Sequence, residues 1–560
     1  MKKATALLLA AVLAMGMLFG CGGSGSNTPS KTESADKSSD AGKTEEAGKT
    51  EEADNPEELK LPLTEEKQEL TVWFNYSGSV VSDLNEIESV KKMEELTNVH
   101  INWIPIEQQQ LKDKLGILLT SGDFPDIIYP GSTAYPGGVE KGISEEVIRA
   151  DHDELIRKYL PNYMKYLNEN ETARKQATAD DGKMKIIKVI AGEDFNCKAE
   201  GVYQGVCYRK DLLEGLGLSE PKNIAEWHDA LVKAKESGID TPFVLNTNGG
   251  SWLSAAWGVP TISSTYLMMD DNGKVAGGVL QDGFGKYLET MRQWYAEGLI
   301  DPNFTSFNYY LDPPAAVEDN KHLLYSFILS AFTGNNYYAM HMCTNESEFL
   351  QPIVPAAEDG GKTVMVYSPV EAKDTIFIST ACKNPELAAK WIDFQYSREG
   401  ELLNWYGIED VTYTMDKDGL PQFTDMVLHD PNNTPPSTIL EKYALNWGNS
   451  WFGKHNTVAS EKVAAAAAGG TNQQKEAVNI WTSAEKNIGL PSGYTLTEEE
   501  SDAINAKATA VQTLIEEYMI NYILGADNTS FEDFKKKVLE YGYQEIIDTY
   551  QAAVDRYNAR

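Results

Sequence analysis

The chain of 560 residues predicts an α/β protein of two lobes with a helical C-terminal region. Three observations carry this. From Leu70 to Gly131, β-branched and aromatic runs alternate with stretches of helical periodicity: strand, helix, strand, helix, strand. That is the pattern of a parallel sheet with crossover helices. A second alternation begins near Val202, and further strands and helices return after residue 320, so the chain crosses between two bodies more than once. From about Glu498, apolar residues recur at helical spacing, with Val511, Leu514, Ile515, Tyr518 and Tyr522 on one side. A chain of this length also exceeds what a single core usually fills.

Taken in order, the first element is not part of either lobe. MKK precedes the apolar run ATALLLAAVLAMGMLFG, which is shorter than a membrane span needs and reads as a secretory signal over residues 1–20. Leu18, Phe19 and Gly20 stand before Cys21, an arrangement that resembles the bacterial lipobox, although Phe19 is bulkier than the usual residue there. Cleavage would leave Cys21 as a lipid-bearing N-terminus. The alternative is an ordinary signal with an incidental cysteine. Residues 21–60 are Ser, Gly, Thr, Glu, Lys and Asp with a tandem GKTEEA copy from Gly42 to Ala53. Such a segment buries too little to offset its ordering entropy and reads as a disordered tether with a reach of roughly 35 Å.

In the body, LTVWFNYSG, VHINWIPI and FPDIIYPG read as the first three strands. Between them, Ile87, Val90, Met93 and Leu96 mark one helix and QQQLKDKLGILLTSG a second. Ligands in parallel sheets bind beyond the carboxyl ends of the strands; the residues there are Asn75, Tyr76 and Ser77 after the first strand and Tyr129 after the third. VYQGVCYRKDLLEGLGL reads as strand then helix. NIAEWHDALVKAKESG is a helix with Asn223 as N-cap, Glu226 three residues on, and a stripe of Trp227, Ala230, Leu231 and Ala234. TPFVLN is a strand, YLETMRQWYAEG a helix closed by Gly298, and KHLLYSFIL and TVMVYSP are returning strands. Asn384 caps, and Pro385 opens, a helix with Leu387, Ala388, Trp391 and Ile392 on its face. These elements place residues 61–200 and 321–382 in an N-terminal lobe, and 201–320 and 383–560 in a C-terminal one.

A formal net charge of −35 argues against a nucleic-acid partner. Beyond Cys21 the cysteines are Cys197, Cys207, Cys343 and Cys382, with no C-x-x-C spacing; Cys197 and Cys207 are the nearest pair for a bridge, with free buried thiols the alternative. No H-E-x-x-H, G-x-S-x-G or P-loop string is present, so neither a cofactor nor a catalytic metal is expected. MDDNGKVAGG (269–278) and MDKDGLP (415–421) cluster acids before glycine, but neither completes a calcium loop, and both fit hairpin turns.

Several blocks resemble the bacterial extracellular solute-binding proteins of the sugar-binding family 1 group. They are TSGDFPDII (120–128), YRKDLLEGLGLSEPKNIAEWHDAL (208–231), YAEGLIDPNF (295–304) and KNPELAAKWIDFQYSREGELLNWYGIED (383–410). The tail FEDFKKKVLEYGYQEIIDTYQAAVDRYN is similar to that of the large lipoprotein subgroup. Asn223 and Ile224 depart from the family's usual P-x-T run. The resemblance implies a type II periplasmic-binding-protein-like fold. It also implies a monomeric, lipid-anchored receptor on the extracellular face of the cell membrane that binds a carbohydrate, expected to be an oligosaccharide, and delivers it to ABC importer permease subunits. Its block residues read as structural, Arg209 and Asp211 as an ion pair or cap.

A sugar site needs flat rings for the C–H face and polar groups for the hydroxyls. Among 11 Trp and 28 Tyr, those in Gly/Asn/Ser-rich loops stand out: Trp252 and Trp257 in NTNGGSWLSAAWG, Trp447 and Trp451 in LNWGNSWFGKH, with Tyr76, Tyr129 and Asn75 next. Trp73, Trp227, Trp294, Trp391 and Trp481 read as core. A secreted carbohydrate-active enzyme and a sugar-binding surface protein without a transport role are the alternatives; 84 acidic residues always allow a carboxylate pair to be imagined, so their number decides nothing.

Overall fold

The computed structural model describes residues 58–131, 135–191, 204–263, 265–307, 319–328, 350–368, 372–432, 434–448, 451–456, 459, 477 and 479–560. The expected signal peptide, Cys21, most of the tether, Cys197 and Cys343 lie outside them. Among the described residues nine strands form the main sheets of the two lobes: β1 Gln68–Asn75, β2 Val99–Ile106, β3 Ile127–Gly131, β4 Ile187–Ala191, β5 Gln204–Arg209, β6 Leu324–Ile328, β7 Leu350–Ile353, β8 Ala372–Ile378 and β9 Lys454–His455.

The first lobe is a six-stranded sheet in the order β9-β4-β8-β3-β1-β2. Strands β1 and β2 run parallel from Gln68 opposite Val99 to Asn75 opposite Ile106, and β3 joins β1 in parallel with Val72 opposite Ile127. The alternating pattern of the first sixty residues of the body thus becomes the crossover sheet it predicts. Strand β8 enters antiparallel between β3 and β4, with an irregularity in register on both sides. Both faces of the sheet are covered, which is why its strands read as nearly continuous apolar runs. Leu70, Val72, Phe74, Ile127 and Tyr129 pack with Trp391 of the helix Pro385–Phe394. On the other face Trp73, Ile128 and Phe377 meet Leu111 and Leu115 of the helix Leu111–Ser121.

The second lobe centres on β5, flanked antiparallel by β6 and β7. Phe243 extends this sheet through single parallel bridges to Leu324 and Ile300, so the expected TPFVLN strand is reduced to one paired residue. Its core takes Trp227 from the helix Ile224–Glu236, and Phe284, Tyr287, Met291 and Trp294 from the helix Asp282–Ala296. Asn223 caps the former through the Glu226 N–H at 2.9 Å, while Glu226 accepts in return from the Lys222 N–H and the Asn223 amide. Arg209 and Asp211 form a two-pronged ion pair at 2.7 and 2.5 Å. The tail helix Glu498–Ile523 starts on a complete capping box of Thr497 and Glu500. Among the described residues no helix is long and apolar enough to cross a membrane.

Two of the expected lobe boundaries need correction. Within 321–382, assigned to the N-terminal lobe, β6 and β7 belong to the second lobe's sheet and only β8 to the first. Within 383–560, assigned to the C-terminal lobe, Trp391, Leu403, Leu445 and Phe452 lie in the first lobe's core. The reason is physical: local patterning identifies an element and its buried face, but distant sheet partners such as Cys207 with Tyr325 and Val206 with Ile353 carry no local mark.

Candidate functional site

The carboxyl ends of β1 and β3 meet two returning segments, residues 444–448 and 451–456. Three glycines let the segments close on one another. A Cβ on Gly448 would stand 2.0 Å from Tyr76 Cε2, one on Gly78 2.4 Å from Tyr76 Oη, and one on Gly131 2.7 Å from Asn75 Nδ2. The Ser77 N–H donates to the Gly448 carbonyl at 2.8 Å and the Tyr76 N–H to the Ile106 carbonyl at 2.9 Å. Tyr76 is 4% exposed and Asn75 6%. The Tyr76 hydroxyl and Asn75 Oδ1 find no hydrogen-bond partner among the described residues. Burial, reinforced by the neighbouring Glu441 carboxylate, pushes the Tyr76 hydroxyl well above the ordinary phenol range.

On the neighbouring strands, the Tyr129 hydroxyl lies 3.0 Å from Asp374 Oδ2 and 3.2 Å from the Trp451 carbonyl. Asp374 sits at the register irregularity of β8 with a φ of +52°, a strained conformation for a residue other than glycine. Next to it, the Lys373 ammonium stands 3.9 Å from the ring centre of half-buried Trp451, within cation–π range. The His455 ring lies 4.4 Å from the same Trp451 ring. The loop is braced from below. Asn446 exchanges hydrogen bonds with the Phe452 backbone at 2.9 and 3.2 Å, and buried Glu401 receives Lys454 at 3.3 Å and Asn456 at 2.8 Å.

The structure therefore brings Asn75, Tyr76, Tyr129, Trp447 and Trp451 together and surrounds them with Lys373, Asp374, Glu441 and His455. Trp447 donates its Nε1–H to the Trp405 carbonyl at 2.8 Å and meets the Trp405 ring edge-on, so it anchors the loop. Tyr76 and Tyr129 are too deeply buried to offer a ring face; the Tyr76 hydroxyl is buried as well, and the Tyr129 hydroxyl is engaged by Asp374 and the Trp451 carbonyl. Trp252 and Trp257 belong to the other lobe, on the short helix Trp252–Trp257. Ser326 Oγ accepts from the Trp252 N–H at 3.0 Å and pairs with Ser251 at 2.7 Å. Trp252 is half-buried. Trp257 is 9% exposed, packs edge-to-face on Tyr287 at 5.5 Å and lies in the second lobe's hydrophobic cluster. Lys373, Asp374 and His455 escaped the sequence reading because EAKDTIF and GKH carry no motif; the placement of β8 between β3 and β4 brings Lys373 and Asp374 to the site, and the pairing of β9 with β4 brings His455.

Both acidic strings are hairpin turns. Asp270 accepts from the Asn272 and Lys274 N–H groups at 2.8 Å each, and Asp416 from those of Asp418 and Leu420 at 2.9 Å. Among the described residues no three His, Cys, Asp or Glu side chains converge as metal ligands. Cys207 and Cys382 are buried free thiols, and burial pushes Cys382 up to about 12.

A family model for bacterial extracellular solute-binding proteins matches residues 85–402, more than half of the chain. The chain belongs to this family. Members of the bacterial extracellular solute-binding proteins close to it in sequence include the fructooligosaccharide ABC transporter substrate-binding protein FusA of Streptococcus pneumoniae serotype 4. That protein is 27% identical over 534 residues, covering 89% of this chain and 92% of FusA. A solved FusA structure in complex with kestose superimposes with a TM-score of 0.67 at 23% identity, covering 88% of this chain and 99% of that one. An HMO-binding solute-binding protein from Bifidobacterium longum infantis superimposes with a TM-score of 0.70 at 14% identity, again covering 88% and 99%. These likenesses establish the two-lobed solute-binding fold.

Proposed function

We propose that the chain is a lipid-anchored surface receptor that binds an oligosaccharide between its lobes and passes it to an ABC importer. The observation that carries the ligand class is the group at the carboxyl ends of β1 and β3. There a half-buried tryptophan is oriented by an ammonium and an imidazole beside a carboxylate, a phenol and an amide. A ring supplies the apolar platform a pyranose or furanose face needs, and the surrounding groups match hydroxyls that donate and accept. The similarity to FusA supports a fructose-containing ligand as the first probe, and the lipobox-like LFGC supports the anchor.

Calorimetry with kestose, followed by a panel of neutral and uronic oligosaccharides, tests the reading. Trp451→Ala is expected to cost about 2 kcal/mol of binding, roughly thirtyfold in affinity. Absence of binding to every glycan in the panel would refute a carbohydrate receptor, and wild-type affinity in the variant would refute Trp451 as the platform. Cys21→Ala is expected to move the protein from the membrane fraction to the soluble one; an unchanged distribution would refute the anchor.

A further inference from the structure

We propose that Arg556 and Arg560 of the second lobe grip Asp180 of the first as an interlobe latch, so that the arrangement of the lobes depends on this contact as well as on the chain crossings. Arg556 lies in the last turn of the helix Tyr543–Ala559 and Arg560, four residues on, is the residue that caps it, so both side chains leave the same end of the helix. The helix is rooted in the second lobe: Tyr543, Ile546, Ile547 and Val554 lie in its core, and Gln551 accepts from the Val275 N–H at 2.7 Å. Asp180 stands in the first lobe, between β4 and the helix Glu171–Ala177, whose Ala173 and Ala177 lie in that lobe's core.

One carboxylate is held by both guanidinium groups. Asp180 Oδ1 accepts from Arg560 Nε at 3.0 Å and Nη2 at 2.6 Å, and Oδ2 from Arg556 Nε at 2.7 Å. The arginines are aimed before they reach across. Within their own lobe, Arg556 forms a fork with Glu500 at 2.7 and 2.6 Å, and Arg560 donates to the Gly493 carbonyl and Thr495 Oγ1 at 2.9 Å each. Arg560 also donates to the Lys175 carbonyl of the first lobe at 3.0 Å, and its side chain is 3% exposed. An isolated surface ion pair contributes little because two long side chains must be ordered to form it. Here that ordering is already done by Glu500, Thr495 and Gly493, and the bonds are charge-assisted and shared.

The backbone is cut to fit the contact. Gly493 has a φ of +94°, and a Cβ there would stand 2.9 Å from Cγ and 3.0 Å from Cα of Gln176 in the first lobe. Gln176 in turn accepts from the N–H of Ala372, the first residue of β8, at 2.8 Å. The latch therefore lies beside a point where the chain returns to the first lobe, where a small displacement swings the lobes through a large one.

Small-angle scattering of the ligand-free protein tests this. Two variants are compared with wild type: Asp180→Asn, which leaves the helix and its own-lobe partners in place, and Arg556→Ala/Arg560→Ala. For a compact body of about 500 residues the radius of gyration is roughly 23 Å. Both variants are expected to shift it and the maximum dimension upward while near-ultraviolet dichroism keeps its wild-type form. Wild-type dimensions in Asp180→Asn would overturn the latch. So would expansion accompanied by loss of the near-ultraviolet signal, because that is unfolding of the helix rather than release of the lobes.

Discussion

His152 makes the first lobe sensitive to acid, and the effect has a calculable size. The residue opens the helix His152–Tyr159, is 1% exposed, and places Nε2 3.0 Å from the amide nitrogen and 3.1 Å from the carbonyl of Ile378 in β8. Nδ1 has no partner among the described residues. Burial pushes the imidazole down to about 4 from an ordinary 6.5, against the opposing pull of the Ile378 carbonyl and Asp151. A positive charge at a helix N-terminus is also disfavoured by the helix dipole. With the folded value below the unfolded one, the unfolded chain takes up the proton first. The stability from neutral His152 is fully present above pH 6.5 and is lost as the pH falls toward 4. A difference of about 2.5 units at 1.36 kcal/mol each gives about 3 kcal/mol. Urea unfolding at pH 7 and pH 4.5, followed by tryptophan fluorescence, measures it in wild type and His152→Gln. The variant is expected to start less stable and to lose about 2–3 kcal/mol less on acidification. Asp393 works in the opposite sense. Burial raises it to about 7 despite donors from Asn162 and Tyr163, so its contribution is present below pH 3.8 and lost as the pH rises through 7. Because both proteins retain Asp393, the difference between them isolates the imidazole. Equal losses in wild type and variant would refute the reasoning.

Two further substitutions separate packing from binding. Gly448→Ala places a methyl 2.0 Å from the buried Tyr76 ring and is expected to cost about 3 kcal/mol by overpacking, read as a lower urea midpoint at unchanged slope; a neutral result would mean that the loop is free to lift away from β1. Trp257→Ala is expected to cost about 3–5 kcal/mol of stability, well above the cost of Trp451→Ala in the same denaturation assay; the reverse order would keep Trp257 in the ligand-facing set.

How much was legible follows from where each signal resides. Asn223, Asn384 and Pro385 announce helix starts through their own side chains, and each start is found where the chain places it. The parallel β1, β2 and β3 follow from the spacing of apolar runs within 62 residues. The membership of β6, β7 and β9 was not legible, because it depends on pairings such as Cys207 with Tyr325, Val206 with Ile353 and Lys454 with Ile190 that leave no trace in the neighbouring residues. The site shows the same division. Loop composition picks out Trp447 and Trp451, but whether a ring at a strand's carboxyl end faces a ligand or the core turns on a single side-chain direction. Trp257 and Tyr129 point inward for that reason, and Lys373 and Asp374 reach the site only through β8.

The position of β8 also bears on how the chain is made. Ser379, just beyond β8, hydrogen-bonds the Pro125 carbonyl 254 positions earlier. In a chain that emerges N-terminus first, β3 appears about 240 residues before this neighbour. Throughout that interval the fully apolar segment IIYPG can pair with β1 on one side only, and its other edge lies open to any unpaired strand. The first lobe cannot finish folding before the chain beyond β7 has emerged. The chain must therefore be kept from premature association until most of it has emerged, and truncation before residue 372 would leave β3 permanently unpaired on that edge.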